Sequence, residues 1–131
     1  MAQFGIQIHS KSKTKNSGNG KAKNKNRDKK RSESGGYFVA TKLGAESSRK
    51  AVRIRGGSQK SKLMYAGSAN LLTKDGYKNV KITGVAESKD NRNFARLNII
   101  TKGTIIETEM GKAVVTNSPG KEGSVNAKLL G

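Results

Sequence analysis

Lysine and arginine are the residues of this chain whose type and spacing can do chemistry, and that chemistry is the neutralisation of phosphate. In the stretch KNSGNGKAKNKNRDKKR, residues 15–31, a cation stands at nearly every second position against one acid, Asp28, and no large apolar side chain is present. Across residues 1–36 the basic set is Lys11, Lys13, Lys15, Lys21, Lys23, Lys25, Arg27, Lys29, Lys30 and Arg31, against Asp28 and Glu33, a net of +8. Such a segment cannot bury enough apolar surface to offset its ordering entropy. It is expected to be disordered in the free chain and to order on a polyanion. Asn and Ser between the lysines add hydrogen bonds to phosphate and ribose hydroxyls without specifying bases. A second basic group begins in VRIRGG, residues 52–57: Arg53 and Arg55 are spaced to share one strand face ahead of Gly56-Gly57, and Lys60 and Lys62 follow. Arginine suits phosphate because its planar fork donates two hydrogen bonds at once. Paired glycines let the backbone turn tightly or approach a ligand closely.

The residues that catalysis would need are poorly placed. The one histidine, His9, lies in the basic extension, where nothing positions or desolvates a general base. There is no cysteine, so thiol chemistry and Cys- or His-rich metal sites fail on ligand count. Glu107 and Glu109 are two apart and would share a strand face, which fits a solvated surface balancing lysines better than a paired-carboxylate site. Gly18-Asn19-Gly20-Lys21 is not a phosphate loop: it lacks the first Gly, the Ser or Thr after Lys, and a preceding strand. The sequence therefore predicts no enzyme and no cofactor.

What must position the second basic group is a small folded body. The chain has 131 residues and a formal net charge of +18, of which +10 falls in residues 37–131. Charge of that size speaks of partners rather than of fold, and nucleic acid is the commonest counterweight. A membrane surface would call for an amphipathic helix or a lipidation signal, and neither is seen; no apolar run reaches the length of a span. The expected setting is soluble and cytoplasmic.

From Tyr37 onward the pattern is one of short strands punctuated by Gly, Asn, Asp and Pro. YFVATKL (37–43) and KAVRIR (50–55) open it, the second alternating Val52 and Ile54 against Arg53 and Arg55, and SKLMYA (61–66) can pair back. SANLLT runs to a Lys74-Asp75-Gly76 turn, a strong hairpin cue, and then into YKNVKITGVA with Val80 and Ile82 on one face. DNRNFARL (90–97) places Phe94 and Leu97 three apart behind an Asp or Asn cap, predicting a short helix. Strands resume at Asn98. Ile106 and Thr108 must face inward if Ile105, Glu107 and Glu109 face out. Turns are expected at Met110-Gly111-Lys112 and at Ser118-Pro119-Gly120, with a last strand over 124–130. The fold class is all-β: a barrel-like body of short antiparallel strands over 37–131 with one short helix, plus the basic extension over 1–36. Aromatic residues are few, so no base-stacking platform is evident, and recognition by shape and backbone is expected.

VRIRGG and the long segment NIITKGTIIETEMGKAVVTNSPGKEGSVNAKLL (98–130) closely resemble the S8e family of small-subunit ribosomal proteins shared by archaea and eukaryotes. The matching pattern is Ile-Ile-x-Lys-Gly, then Glu-Thr-Glu-x-Gly-x-Ala-x-Val-Thr, then Ser-Pro-Gly-x-Glu-Gly, and the short length resembles archaeal members. The chain departs from the family at Lys15-Asn16-Ser17-Gly18 and at Arg31-Ser32-Glu33, so contacts of the extension do not carry over position by position, whereas Arg53, Arg55, Gly56 and Gly57 do. The resemblance implies a β-barrel body in the small ribosomal subunit and an N-terminal extension running into rRNA. It implies small-subunit rRNA and neighbouring ribosomal proteins as partners, and the ribosome as the location. Two rival readings are an assembly factor of the same superfamily, acting on pre-ribosomal particles, and a general DNA-compacting protein.

If about six charges of the extension meet phosphates, deleting residues 1–36 flattens the slope of log K against log salt for rRNA by roughly 4 to 5. The check is a salt titration of the full and truncated chains; an unchanged slope would make the extension a solubilising tail.

Overall fold

The computed structural model describes Thr14, residues 20–24, Arg27, Lys30 and residues 36–130, except for the side chain of Arg55. The chain divides into two units, Met1–Phe38 and Val39–Gly131. In the first, the described residues make one antiparallel bridge, between Thr14 and Ala22, and Lys21, Lys23, Arg27 and Lys30 are all exposed. Lys11, Lys13, Lys15, Lys25, Lys29 and Arg31, together with His9, lie outside the described residues.

The second unit holds an open sheet and a closed barrel. The sheet is built from β1 (Thr41–Leu43), β2 (Ser48–Arg53), β3 (Gln59–Ala66) and β6 (Ile99–Ile100), in the order β2-β3-β1-β6. The barrel takes β4 (Ser68–Thr73), β5 (Gly76–Glu87), β7 (Ile105–Thr108), β8 (Gly111–Val115) and β9 (Asn126–Leu129), in the order β4-β5-β7-β8-β9. Two short helices interrupt the strands, α1 (Arg92–Arg96) and α2 (Pro119–Glu122).

The all-β expectation is borne out, with two refinements. Pairing is not wholly antiparallel, because β1 runs parallel to β3 and β9 runs parallel to β4, closing the barrel. Hairpin cues report only strands adjacent in sequence, which pair antiparallel. Parallel partners are distant in the chain and leave no turn signature. The expected Ser118-Pro119-Gly120 turn is instead the start of α2, a single helical turn with Pro119 at its first position and Gly123 in the left-handed conformation at its end. Helix α1 forms where expected, with the Asn91 side chain accepting the Asn93 N–H at 2.9 Å.

Inner positions of the barrel explain its narrowness. Ala69, Ala113 and Ala127 come inward from β4, β8 and β9, and are filled against by Leu71, Val80, Ile82, Ile106 and Val115. Five strands enclose little space, so small residues must alternate with large ones. Ile106 is fully buried and Thr108 nearly so while Glu107 is exposed, which fixes the pleat of β7 with Ile105 outward. Leu63 and Ala66 continue the same cluster into the sheet.

Sheet passes to barrel at Gly67. Its N–H donates to Ser47 Oγ at 3.1 Å and its carbonyl accepts the Ile82 N–H at 3.0 Å. A Cβ there would stand 2.5 Å from the Ala45 carbonyl oxygen. Gly84, in β5, is different: a Cβ would meet only the end of the flexible Glu107 side chain, at 3.4 Å. Gly67→Ala should therefore destabilise by about 1–3 kcal/mol, as overpacking does, whereas Gly84→Ala should be neutral or slightly stabilising. Urea unfolding of both variants decides the matter; equal losses would mean that the sheet–barrel corner is not tightly packed.

Candidate nucleic-acid interface

Strands β2 and β3 form a hairpin whose tip is a 3-10 turn over Arg55–Gly57. Gly56 and Gly57 have φ of 82° and 85°, and no atom lies within 4 Å of where their Cβ atoms would be. Glycine is needed at the tip for its backbone conformation, not for space. The Ile54 N–H donates to the Ser58 carbonyl at 2.8 Å and closes the turn.

The register of the hairpin sorts its cations. Lys50 stands opposite Lys62, Val52 opposite Lys60, Ala51 opposite Ser61, Arg49 opposite Leu63 and Arg53 opposite Gln59. Alternation then places Lys50, Val52, Lys60 and Lys62 on one face, and Arg49, Ala51, Arg53, Ser61 and Leu63 on the other. The second face is covered near its base: Leu63 is buried, Gly123 at the end of α2 lies against Ser61, and Arg49 Nε donates to the Gly123 carbonyl at 2.6 Å. The first face is open, with Lys50 and Lys60 exposed and Lys62 half-buried.

Of the sequence-predicted residues, the structure brings Lys60 and Lys62 together. Arg53 sits at the end of β2 on the reverse face, and Arg55 belongs to the tip rather than to a strand, so these two arginines do not share a strand face. The apolar residues expected to turn inward, Val52 and Ile54, are half-buried and 37% exposed respectively, because the hairpin projects past the core. Sequence reasoning missed Lys50, the partner of Lys62. A signal for it existed: no acid occurs between Glu46 and Asp75, while Arg49, Lys50, Arg53, Arg55, Lys60 and Lys62 all do.

Two lysines directly opposite on one face, their Cβ atoms roughly 5 Å apart, repel each other. Among the described residues neither has an acidic partner in contact. An arrangement of this kind is chemically suited to the backbone of a polyanion, whose phosphates could neutralise both ammonium groups. The two carboxylates weighed for catalysis are separated: Glu107 is exposed on β7 across from Lys112, and Glu109 is in the β7–β8 turn. Among the described residues no group of three His, Cys, Asp or Glu side chains could hold a metal, and no helix is long and apolar enough to cross a membrane.

Comparison with known proteins adds an independent line. The family model for ribosomal protein S8e matches residues 9–130. The chain is similar to small ribosomal subunit protein eS8 of Hyperthermus butylicus, 45% identical over 98 residues that cover 73% of this chain and 72% of the relative. It is 46% identical over 102 residues to the protein of the same name from Methanococcus vannielii, covering 76% and 80% of the two chains. For that of Sulfolobus acidocaldarius the identity is 45% over 103 residues, covering 77% and 80%.

Lys62→Glu replaces a like-charge pair by an attractive one, so it should raise the stability of the free protein by about 0.2–1 kcal/mol. RNA affinity should fall, with the log K–log salt slope flattened by about 1 or slightly more. Denaturation and a salt titration on the same variant give both readings. Undiminished RNA binding would remove this face from the interface.

Proposed function

We propose, from the premise that the chain belongs to the ribosomal protein S8e family, that it is a structural constituent of the small ribosomal subunit which binds and stabilises folded rRNA through the phosphate backbone. The observation that carries this reading is the family match over residues 9–130, which takes in most of the basic extension as well as the sheet and barrel. Relatives at about 45% identity bear the name small ribosomal subunit protein eS8.

The mechanism is one of neutralisation and fit. The lysine face of the β2–β3 hairpin lies along an rRNA backbone, with Lys50, Lys60 and Lys62 on phosphates. The positive-φ turn at Gly56-Gly57 brings the tip close to the RNA, and Arg53 and Arg55 add charge for phosphate there. The basic set Lys11 to Arg31 enters the rRNA as an extended strand and orders there, so that residues 1–36 and 37–131 act as separate parts, a threading segment and a docked body. No reaction is performed and no cofactor is used. Small-subunit rRNA and neighbouring ribosomal proteins are the partners, and the cytoplasmic ribosome is the site of action.

Purified ribosomes washed in high salt, separated into subunits on a gradient and quantified by mass spectrometry should hold near one copy of this chain per mature small subunit. Presence only on immature particles would replace this reading by that of an assembly factor.

A further inference from the structure

The outer face of the barrel carries a second surface, unlike the lysine face in its chemistry. Asn79 of β5, Asn70 of β4 and Asn126 of β9 are direct cross-strand partners. Their amides form a row: Asn79 Nδ2 donates to Asn70 Oδ1 at 2.9 Å, and Asn70 Nδ2 donates to Asn126 Oδ1 at 3.2 Å. Each amide has two donor hydrogens and an acceptor oxygen, and the row uses only one hydrogen of each donor. Asn79 Oδ1 accepts nothing from the described residues, and the Asn79 side chain is exposed.

One step along the strands, on the same face, Tyr77 pairs with Leu72 and Leu72 with Lys128. Tyr77 is 74% exposed, the most exposed of the large apolar and aromatic side chains of the two units' described residues. One step the other way, Lys81 pairs with Ser68. There Asn70 and Asn79 of the row border a cavity of about 60 Å³, lined besides by Ser47, Arg49, Ser68 and Ser124 and by the apolar Leu63 and Val125. That is room for a few waters or a phosphate group. No carboxylate lines the cavity or belongs to these rows, and the nearby Glu122 is held by Asn117 and by the Ser118 N–H.

Successive rows on one face are about 6.7 Å apart. An aromatic ring, a row of amides, and a cavity with a guanidinium therefore follow one another over about 13 Å, longer than the reach from base to phosphate within one nucleotide and close to the span of two linked nucleotides. We propose that this face of β4, β5 and β9 binds a short unpaired RNA segment of two nucleotides, one base stacked on Tyr77 against Leu72, the sugar that follows on Asn79 and Asn70, and the phosphate of the second nucleotide beside Arg49. Every base has a π-face, so stacking tolerates any sequence but requires a base out of its helix. The lysine face needs only a backbone. This inference rests on the RNA-bound reading above and assigns to it a second, separate contact.

The test uses the full chain with two probes: a single-stranded oligoadenylate RNA, and a fully paired RNA duplex carrying the same number of phosphates, at one ionic strength. Tyr77→Leu should weaken binding of the single strand about tenfold and leave the duplex unchanged, while Tyr77→Phe should keep wild-type affinity for both. Asn79→Ala should lose a few-fold on the single strand alone, with the thermal midpoint held. Lys60→Gln should weaken both probes alike; if it weakens neither, the lysine-face reading fails while this one stands. Wild-type single-strand affinity in Tyr77→Leu, equal losses on both probes, or losses that track a lowered midpoint would each overturn the proposal.

Discussion

Closure of the barrel by β9 is the constraint on which the rest depends. β9 pairs antiparallel with β8 on one side and parallel with β4 on the other, so no barrel strand keeps an open edge. β8 and β9 are antiparallel neighbours that a tight turn could join, but the chain between them is longer and includes α2. That excursion lays Gly123 against Ser61 and gives its carbonyl to Arg49. The connection into the closing strand thus decides which face of the β2–β3 hairpin is covered. The face left open is the one with Lys50, Lys60 and Lys62.

That open face breaks a local rule of sheet stability. Like charges opposite one another on a strand pair cost free energy, and among the described residues no acid is in contact with them to offset it. The fold tolerates this because its stability is carried elsewhere. The buried cluster runs from Leu63 and Ala66 at the foot of the hairpin through the barrel, and the upper hairpin contributes none of its members. Charge concentrated on a projection therefore costs the free protein little and acts fully on a polyanion. Violations of local consistency gather at functional sites for this reason.

Much of the fold was legible from short-range signals. The Asp75-Gly76 turn, a short helix behind an Asp or Asn cap, and the β2–β3 pairing all follow from residues a few positions apart, whereas the pleat of Ile106 and Thr108 stayed open in the sequence and was decided by burial. What escaped depends on pairing between distant segments. Nothing in the spacing of Asn70, Asn79 and Asn126 announces a row of amides, because the row exists only once the parallel pairing of β4 and β9 is set. Tyr77 read as one aromatic in an apolar strand for the same reason, its outward direction and its neighbours being products of closure. Lys50 was missed because Val52 and Ile54 looked like a core face, although the hairpin that bears them reaches beyond any core. Helix α2 is too short to show periodicity and announces itself only by Pro119 and Gly123.

The two surfaces differ in what they can discriminate. A chain with a net charge of +18 is attracted to every nucleic acid, and contacts to phosphate fix register and orientation without choosing among them. Charge is also screened beyond about 10 Å at moderate salt. Selection among RNA shapes has to come from groups that act at contact distance and that salt does not weaken. On this molecule those groups are the Tyr77 ring and the Asn79–Asn70–Asn126 amides, and they are held on the closed barrel rather than on the projecting hairpin. The division is physically sensible: a rigid, edge-free barrel keeps amides and ring in fixed register, which selective contacts require, whereas neutralising a backbone asks only for charge on a surface that can lie along it.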